Sequence, residues 1–234
     1  MILRTSMWYA AMILLVLHVG CGSADKGSSN DIPGEQDSTV DRNQDDDFHN
    51  KVSTYEDNNR DIWQKPDRVI DLLAPLEDKT VVDLGAGSGY FAFRLVPKAK
   101  KVIAVDIDED FIDFLNSKRL LLPETQQERF EVRLAKKDDP MIESGEADAV
   151  LIVNTYAYLE DRVEYFKNLL EDLKPNAKLV IIEFKMKNIP NGPPVEEKVA
   201  ISTVEKELSE AGFIDIDVDD QTLDYQYIVT ARSR

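Results

Sequence analysis

A chain of 234 residues with 43% hydrophobic content holds enough apolar material for one large folded domain or two small ones. Its formal net charge of −17 argues against a nucleic-acid partner, because that affinity comes mainly from Lys and Arg neutralising phosphates. The lone cysteine, Cys21, excludes an intramolecular disulfide or a multi-cysteine metal site, and the two histidines, His18 and His49, lie too near the N-terminus to serve a His-based triad in a folded domain.

The chain opens with Arg4 as a positive n-region, followed by a mostly apolar run over residues 7–19 that is short for a membrane span. It ends at Gly20-Cys21-Gly22-Ser23, which resembles the end of a bacterial lipoprotein signal peptide, with His18 where that family usually has leucine. The resemblance implies that residues 1–21 are a signal whose Cys21 is lipidated, leaving a membrane-anchored protein on the periplasmic side. An uncleaved anchor and a cytoplasmic enzyme with a frayed start stay open as alternatives. Residues 22–52 are Gly, Ser, Asp, Asn and Gln with few large apolar side chains, the composition of an acidic disordered tether. Residues 53–234 are left for the folded domain.

Within that domain, Pro66 suits the first position of a helix, and Val69, Ile70, Leu72, Leu73 and Leu76 give it one apolar face. Trp63, just before it, reads either as a packing aromatic or as a lid over a ligand. Residues 80–84 then form a buried strand running into Gly85, Gly87 and Gly89, a spacing that predicts a tight turn with bare backbone for a ligand. A short helix over about residues 90–96 precedes a second continuous apolar strand over residues 101–106. Such strands are covered on both faces, as in a parallel sheet flanked by helices. Asp108 is a predicted helix cap, with Phe111, Ile112, Phe114 and Leu115 turned inward.

The unit repeats through strands at residues 130–135, 147–154 and 179–184, with a helix carrying Val163, Phe166, Leu169, Leu170 and Leu173 between the last two. A loop of Pro and Gly at residues 188–194 breaks the rhythm. Ser202 and Glu205 have capping-box spacing for a helix ending at Gly212. Residues 213–218 and 225–231 close the chain as an antiparallel hairpin. The pattern is a three-layer α/β sandwich with a mostly parallel sheet.

In such a sheet the ligand sits beyond the carboxyl ends of the strands. A dinucleotide fingerprint needs glycine where Tyr90 stands, and no P-loop lysine follows, so nicotinamide and nucleoside-triphosphate readings are disfavoured. Asp106 is placed to accept from both hydroxyls of a ribose, and Asp83 to face a cationic amine. An acid-lined site suits a positively charged cofactor, which describes S-adenosylmethionine.

Asp83-Leu84-Gly85-Ala86-Gly87-Ser88-Gly89-Tyr90 and Val105-Asp106 resemble the first two motifs of class I S-adenosylmethionine-dependent methyltransferases. The resemblance implies their Rossmann-like seven-stranded sheet, order 3-2-1-4-5-7-6 with strand 7 antiparallel. It implies cofactor contacts from Asp83, Gly85, Ala86, Gly87, Ser88, Gly89, Asp106, Ile107, Asp138 and Asn154, with Asp138 meeting the adenine amino group. The chain is also similar to a bacterial branch of that family through Arg60-Asp61-Ile62-Trp63-Gln64-Lys65-Pro66, Asn154-Thr155-Tyr156 and Gly192-Pro193-Pro194.

Methyl transfer from a sulfonium needs alignment more than acid–base help, so no metal is called for. Asn154 and Tyr156 are the candidate catalytic residues, with core packing the competing role for Tyr156, and Glu183 reads as a solvated strand-end acid. The expected acceptor is a small molecule or an exposed protein group. The alternative function is a membrane-tethered protein that binds an adenosyl ligand without turnover.

Overall fold

The computed structural model describes residues 48, 50, 52, 53, 59–190 and 192–234. The signal peptide, Cys21 and nearly all of the expected tether lie outside the described residues. The tether's last part departs from expectation: residues 48, 50 and 52 are helical, and the Phe48 ring packs 5.2 Å from Phe111 and 5.7 Å from Phe114. Composition marks this segment as polar, but one aromatic with a partner outweighs that average.

Two short helices, α1 (Arg60–Gln64) and α2 (Pro66–Asp71), precede the sheet. Pro66 takes the first position of α2, as its fixed φ and missing N–H favour. The chain then alternates β1 (Thr80–Leu84), α3 (Ala92–Leu95), β2 (Lys101–Asp106), α4 (Glu109–Arg119), α5 (Glu124–Gln127), β3 (Phe130–Leu134) and β4 (Ala147–Val153). After a 3-10 turn at Tyr156–Tyr158 come α6 (Arg162–Asp172), β5 (Leu173–Phe184), α7 (Ile201–Ala211), β6 (Ile214–Asp219) and β7 (Gln226–Arg232).

The sheet order is β3-β2-β1-β4-β5-β7-β6, with β7 antiparallel to both β5 and β6, as expected. Burial follows position in that order. All five residues of β1 are buried, since helices cover both its faces, whereas the edge strand β6 alternates Ile214, Ile216 and Val218 with Asp215, Asp217 and Asp219. Those acids keep the open edge from pairing with another chain. One core packs α6 and α7 on one face of the sheet, around Phe166, Leu169, Val204 and Leu208. The other packs α2, α3 and α4 on the opposite face, around Val69, Ile70, Leu95 and Leu115.

Helix ends agree with expectation at α4, where the Asp108 side chain accepts from the Asp110 N–H at 3.0 Å, and at α7, where Gly212 takes the left-handed conformation. The expected capping box fails: α7 starts two residues early, its N-cap is Ala200, and the Ser202 side chain therefore sits inside the first turn with no cap to make. Trp63 packs as an aromatic, with ring centroids 6.2 Å from Phe184 and 6.1 Å from Tyr225.

Ionic clusters gather at the amino ends of the strands. Asp148 accepts from the Thr80 N–H at 2.9 Å and pairs with Lys174 at 2.7 Å, while Glu146 takes Arg133 and Lys101. The carboxyl ends are left to the loops that build the site.

Candidate cofactor site

β1 delivers its chain to the edge of the sheet at Leu84, and the turn beyond passes through left-handed φ at Gly85 (77°), Gly87 (52°) and Gly89 (82°). Only Gly87 of these three pairs its backbone with the site's acid. The need for bare backbone at the other two is internal: a Cβ on Gly85 would sit 2.1 Å from Thr155 Oγ1, and one on Gly89 2.5 Å from the Phe93 ring. The turn is thus pressed against the loop after β4 and against the core.

Asp106 ends β2 and is held from two sides. The Gly87 N–H donates to its Oδ2 at 2.7 Å, and the Asp108 N–H to its Oδ1 at 3.0 Å. Each carboxylate oxygen keeps a second lone pair for a ligand. Burial pushes the Asp106 carboxyl pKa up, opposed by these backbone N–H groups.

A cleft of about 380 Å³ lies over this turn, within the range of small-molecule sites. Gly85, Ala86, Gly87 and Ser88 form one wall, and Asp106, Ile107, Asp108 and Phe111 the next. Lys136 and Lys137 come from the loop after β3, Asn154, Thr155, Tyr158 and Glu160 from the loop after β4, and Arg60 from α1. Lys137 and Glu160 pair at 3.2 Å between those two loops. The Ser88 Oγ is buried without a hydrogen-bond partner among the described residues.

Of the expected contacts, Gly85, Ala86, Gly87, Ser88, Asp106, Ile107 and Asn154 line this cleft, and Asp83, Gly89, Asp138 and Tyr156 do not. Asp83 lies behind the glycine turn, 3% exposed, with its Oδ2 unpartnered among the described residues. Burial pushes its carboxyl up to about 7, against the opposing pull of the Ala92 N–H and the Arg60 charge. The Asp138 expectation is corrected: the tight turn in which Lys136 pairs with Asp139 leaves Asp138 exposed, and the two lysines take the wall instead.

Tyr156 is corrected as well. Its side chain is fully buried in the α6/α7 core, and its O–H donates to Glu207 at 2.6 Å. Arg162 holds the same carboxylate at 2.7 and 3.0 Å, so burial and that carboxylate push the Tyr156 hydroxyl above its ordinary range. A phenol so held is no base for the cleft. Glu183, expected to be solvated, is 3% exposed and pushed up to about 7 by burial, with backbone N–H groups of Ala157, Phe184 and Tyr156 pulling the other way.

Sequence reasoning gave Arg60 and Gln64 no individual role. Arg60 lies with its guanidinium 4.0 Å from the Tyr90 ring centroid, and Arg94 lies 3.8 Å from the same centroid. Asp61 accepts from the Tyr90 O–H and from Arg94. Arg60 Nε also donates to Gln64 Oε1, Gln64 Nε2 donates to Gln226 Oε1 at 2.9 Å, and Gln226 Nε2 donates to Asn154 Oδ1. The spacing of Arg60 and Gln64, four apart on one helix, was readable in sequence; Gln226, 162 residues on, carried no signal.

The arrangement fits S-adenosylmethionine. A clamped carboxylate with spare lone pairs suits a ribose diol, Ile107 and Phe111 offer apolar surface to a base, and the buried Ser88 Oγ and Asp83 Oδ2 beside the same turn have no hydrogen-bond partner among the described residues.

Comparison with known proteins agrees. Residues 82–179 match the family model described as a methyltransferase domain. A tRNA U34 carboxymethyltransferase of Actinobacillus succinogenes is 30% identical over 120 residues, 51% of this chain and 36% of that protein. An uncharacterized methyltransferase of Mycobacterium tuberculosis is 29% identical over 135 residues, 58% of this chain and 51% of that one. The chain thus spans about a third to a half of these curated relatives.

A crystal structure of an S-adenosylmethionine-dependent methyltransferase from Aquifex aeolicus superposes with a TM-score of 0.71 at 25% identity, over 79% of this chain and 98% of that one. The [4+2]-cyclase SpnF, at 14% identity and a TM-score of 0.62 over 73% of this chain and 80% of its own, shares the fold alone. Residues 82–179 of this chain are thus similar to a methyltransferase domain, and its α/β fold is that of the S-adenosylmethionine-dependent methyltransferase from Aquifex aeolicus.

Proposed function

We propose that the protein binds S-adenosylmethionine in this cleft and transfers its methyl group to a small molecule or an exposed protein group. The observation that carries the reading is Asp106, held by the Gly87 and Asp108 N–H groups with lone pairs to spare. When bound, the cofactor supplies an electrophilic methyl carbon and a neutral thioether leaving group. The chain's own part is to hold and align: Asp106 fixes the ribose, the glycine turn passes beneath the ligand, and Asn154 and Thr155 stand at the β4 end of the cleft, where an acceptor must enter.

Asp106→Ala removes two charge-assisted hydrogen bonds, so calorimetry with S-adenosylhomocysteine should show an affinity loss of about 100-fold. An unchanged affinity would overturn the reading. The tRNA-modifying relative raises RNA as an acceptor; the net charge of −17 supports the small-molecule or protein choice instead.

A second reading, adenosyl-ligand binding without methyl transfer, has one observation behind it: the same fold serves a cyclase. Radiolabelled methyl transfer to a panel of acceptors, by protein already known to bind the cofactor, separates the two. We also propose membrane attachment through Cys21, on the strength of Gly20-Cys21 after an apolar run. Fatty-acid labelling in cells should mark the wild type and not Cys21→Ser; equal labelling of both would exclude that attachment.

A further inference from the structure

We infer that Gln64 and Gln226 are positioning residues, which fix the Asn154 side chain so that it turns an N–H donor, and not its oxygen, toward the cofactor cleft, where with Arg60 it seats a carboxylate. The inference rests on the reading of the cleft as an S-adenosylmethionine site. It concerns how one end of that site gets its polarity.

A primary amide offers an oxygen on one side of its tip and a nitrogen on the other, so its orientation decides whether it accepts or donates. A guanidinium has no such choice, because it only donates. Arg60 Nε meets Gln64, which fixes Gln64 Oε1 as the acceptor and leaves Gln64 Nε2 to donate. That nitrogen meets Gln226 at 2.9 Å, so Gln226 presents Oε1 there and Nε2 at its other side. Gln226 Nε2 in turn meets Asn154 Oδ1.

Gln64 and Gln226 are both 0% exposed. Reversing either amide would set nitrogen against nitrogen or oxygen against oxygen with no water to relieve it. The direction set at Arg60 therefore runs to the far end, engaging Asn154 Oδ1 and leaving Nδ2 for the cleft. The backbone assists: Asn154 is in the left-handed region, φ 57°, where the strand turns away and asparagine is tolerated.

The relay leaves the cleft at Arg60 and returns to it at Asn154, since both residues line it. Strand order places this end. Asp106 holds the ribose over β2, and β4 lies on the other side of β1 from β2, so a cofactor that crosses the glycine turn brings its amino-acid tail to the β1/β4 end. Two N–H donors, one of them charged, suit the tail's carboxylate and repel its ammonium.

The test is calorimetry on the full chain with S-adenosylhomocysteine, which has the tail, and 5′-methylthioadenosine, which lacks it. In Gln226→Glu the carboxylate still accepts from Gln64 but no longer donates, so Asn154 must turn its Nδ2 inward and its oxygen to the cleft. The expected result is a loss of about tenfold or more for S-adenosylhomocysteine, with 5′-methylthioadenosine affinity unchanged, and no further loss when Gln226→Glu is added to Asn154→Ala. If Gln226→Glu does not fold, Gln226→Leu removes the hold on Asn154 without a buried charge and should give a smaller loss with the same dependence on the tail. Equal losses for both ligands, no loss for either, or a loss that persists in the Asn154→Ala background would overturn the inference. Failure of the wild type to bind either ligand would overturn the cofactor reading itself, a result distinct from these.

Discussion

Asp83 sits one layer behind the cleft, and its burial makes a pH-dependent prediction. In the unfolded chain it ionises near the usual 4, but in the fold it keeps its proton to about 7. Between those values the unfolded state has released a proton that the folded state still holds, so stability falls as pH rises from about 4 to about 7 and is level above, a cost of order 4 kcal/mol at one pKa unit per 1.4 kcal/mol. Asp83→Asn cannot ionise. Urea denaturation from pH 4.5 to 8 should therefore show a flatter profile for the variant, which should be the more stable protein at pH 8; parallel profiles would show that Asp83 titrates normally. A cationic amine bound nearby favours the ionised form, so cofactor affinity should rise with pH through 7 in the wild type alone. Glu183, pushed up to about 7 by the same burial, contributes a slope of the same sign in both proteins.

Elements explain why Tyr156 is a structural residue. The 3-10 turn at Tyr156–Tyr158 follows the left-handed kink at Asn154, and one step of that turn carries Tyr156 under α6 and α7 while Tyr158 stays 68% exposed at the cleft. Tyr156 joins α7 through Glu207, and Glu207 joins α6 through Arg162, so the triad staples two helices to the turn that carries Asn154. Tyr156→Phe leaves the Arg162–Glu207 pair intact and should cost about 1 kcal/mol of stability, read by denaturation, with turnover changed less than about twofold. A large loss of turnover at unchanged stability would return Tyr156 to the chemistry. At the other end of the site, α1 is held over the turn by Asp61, Tyr90 and the two guanidinium groups that flank its ring.

Across the whole molecule, charge is gathered into locally balanced groups. Arg133, Glu146, Lys101 and Glu131 close one another's fields beside β2, β3 and the start of β4, where Arg133 holds the Glu146 carboxyl down to about 2. At the carboxyl ends the cleft mixes Arg60, Lys136 and Lys137 with Asp106, Asp108 and Glu160, so a chain of net charge −17 keeps a locally balanced site. The sequence by itself determined the layers and the strand ends, because continuous apolar runs, glycine turns and terminal acids are local patterns that a buried parallel sheet requires. It therefore marked residues 83–89 and Asp106 before any fold was known. Only the tertiary structure decided which neighbours were bound for the cleft. Asp83 is one residue before the end of β1 and Tyr156 two residues after the kink at Asn154, and a shift of one residue at such places decides whether a side chain meets the cleft or the core; Arg60 and Gln226 enter the site's hydrogen bonding from 46 residues before and 120 residues after Asp106, a meeting that depends on where β7 inserts in the sheet.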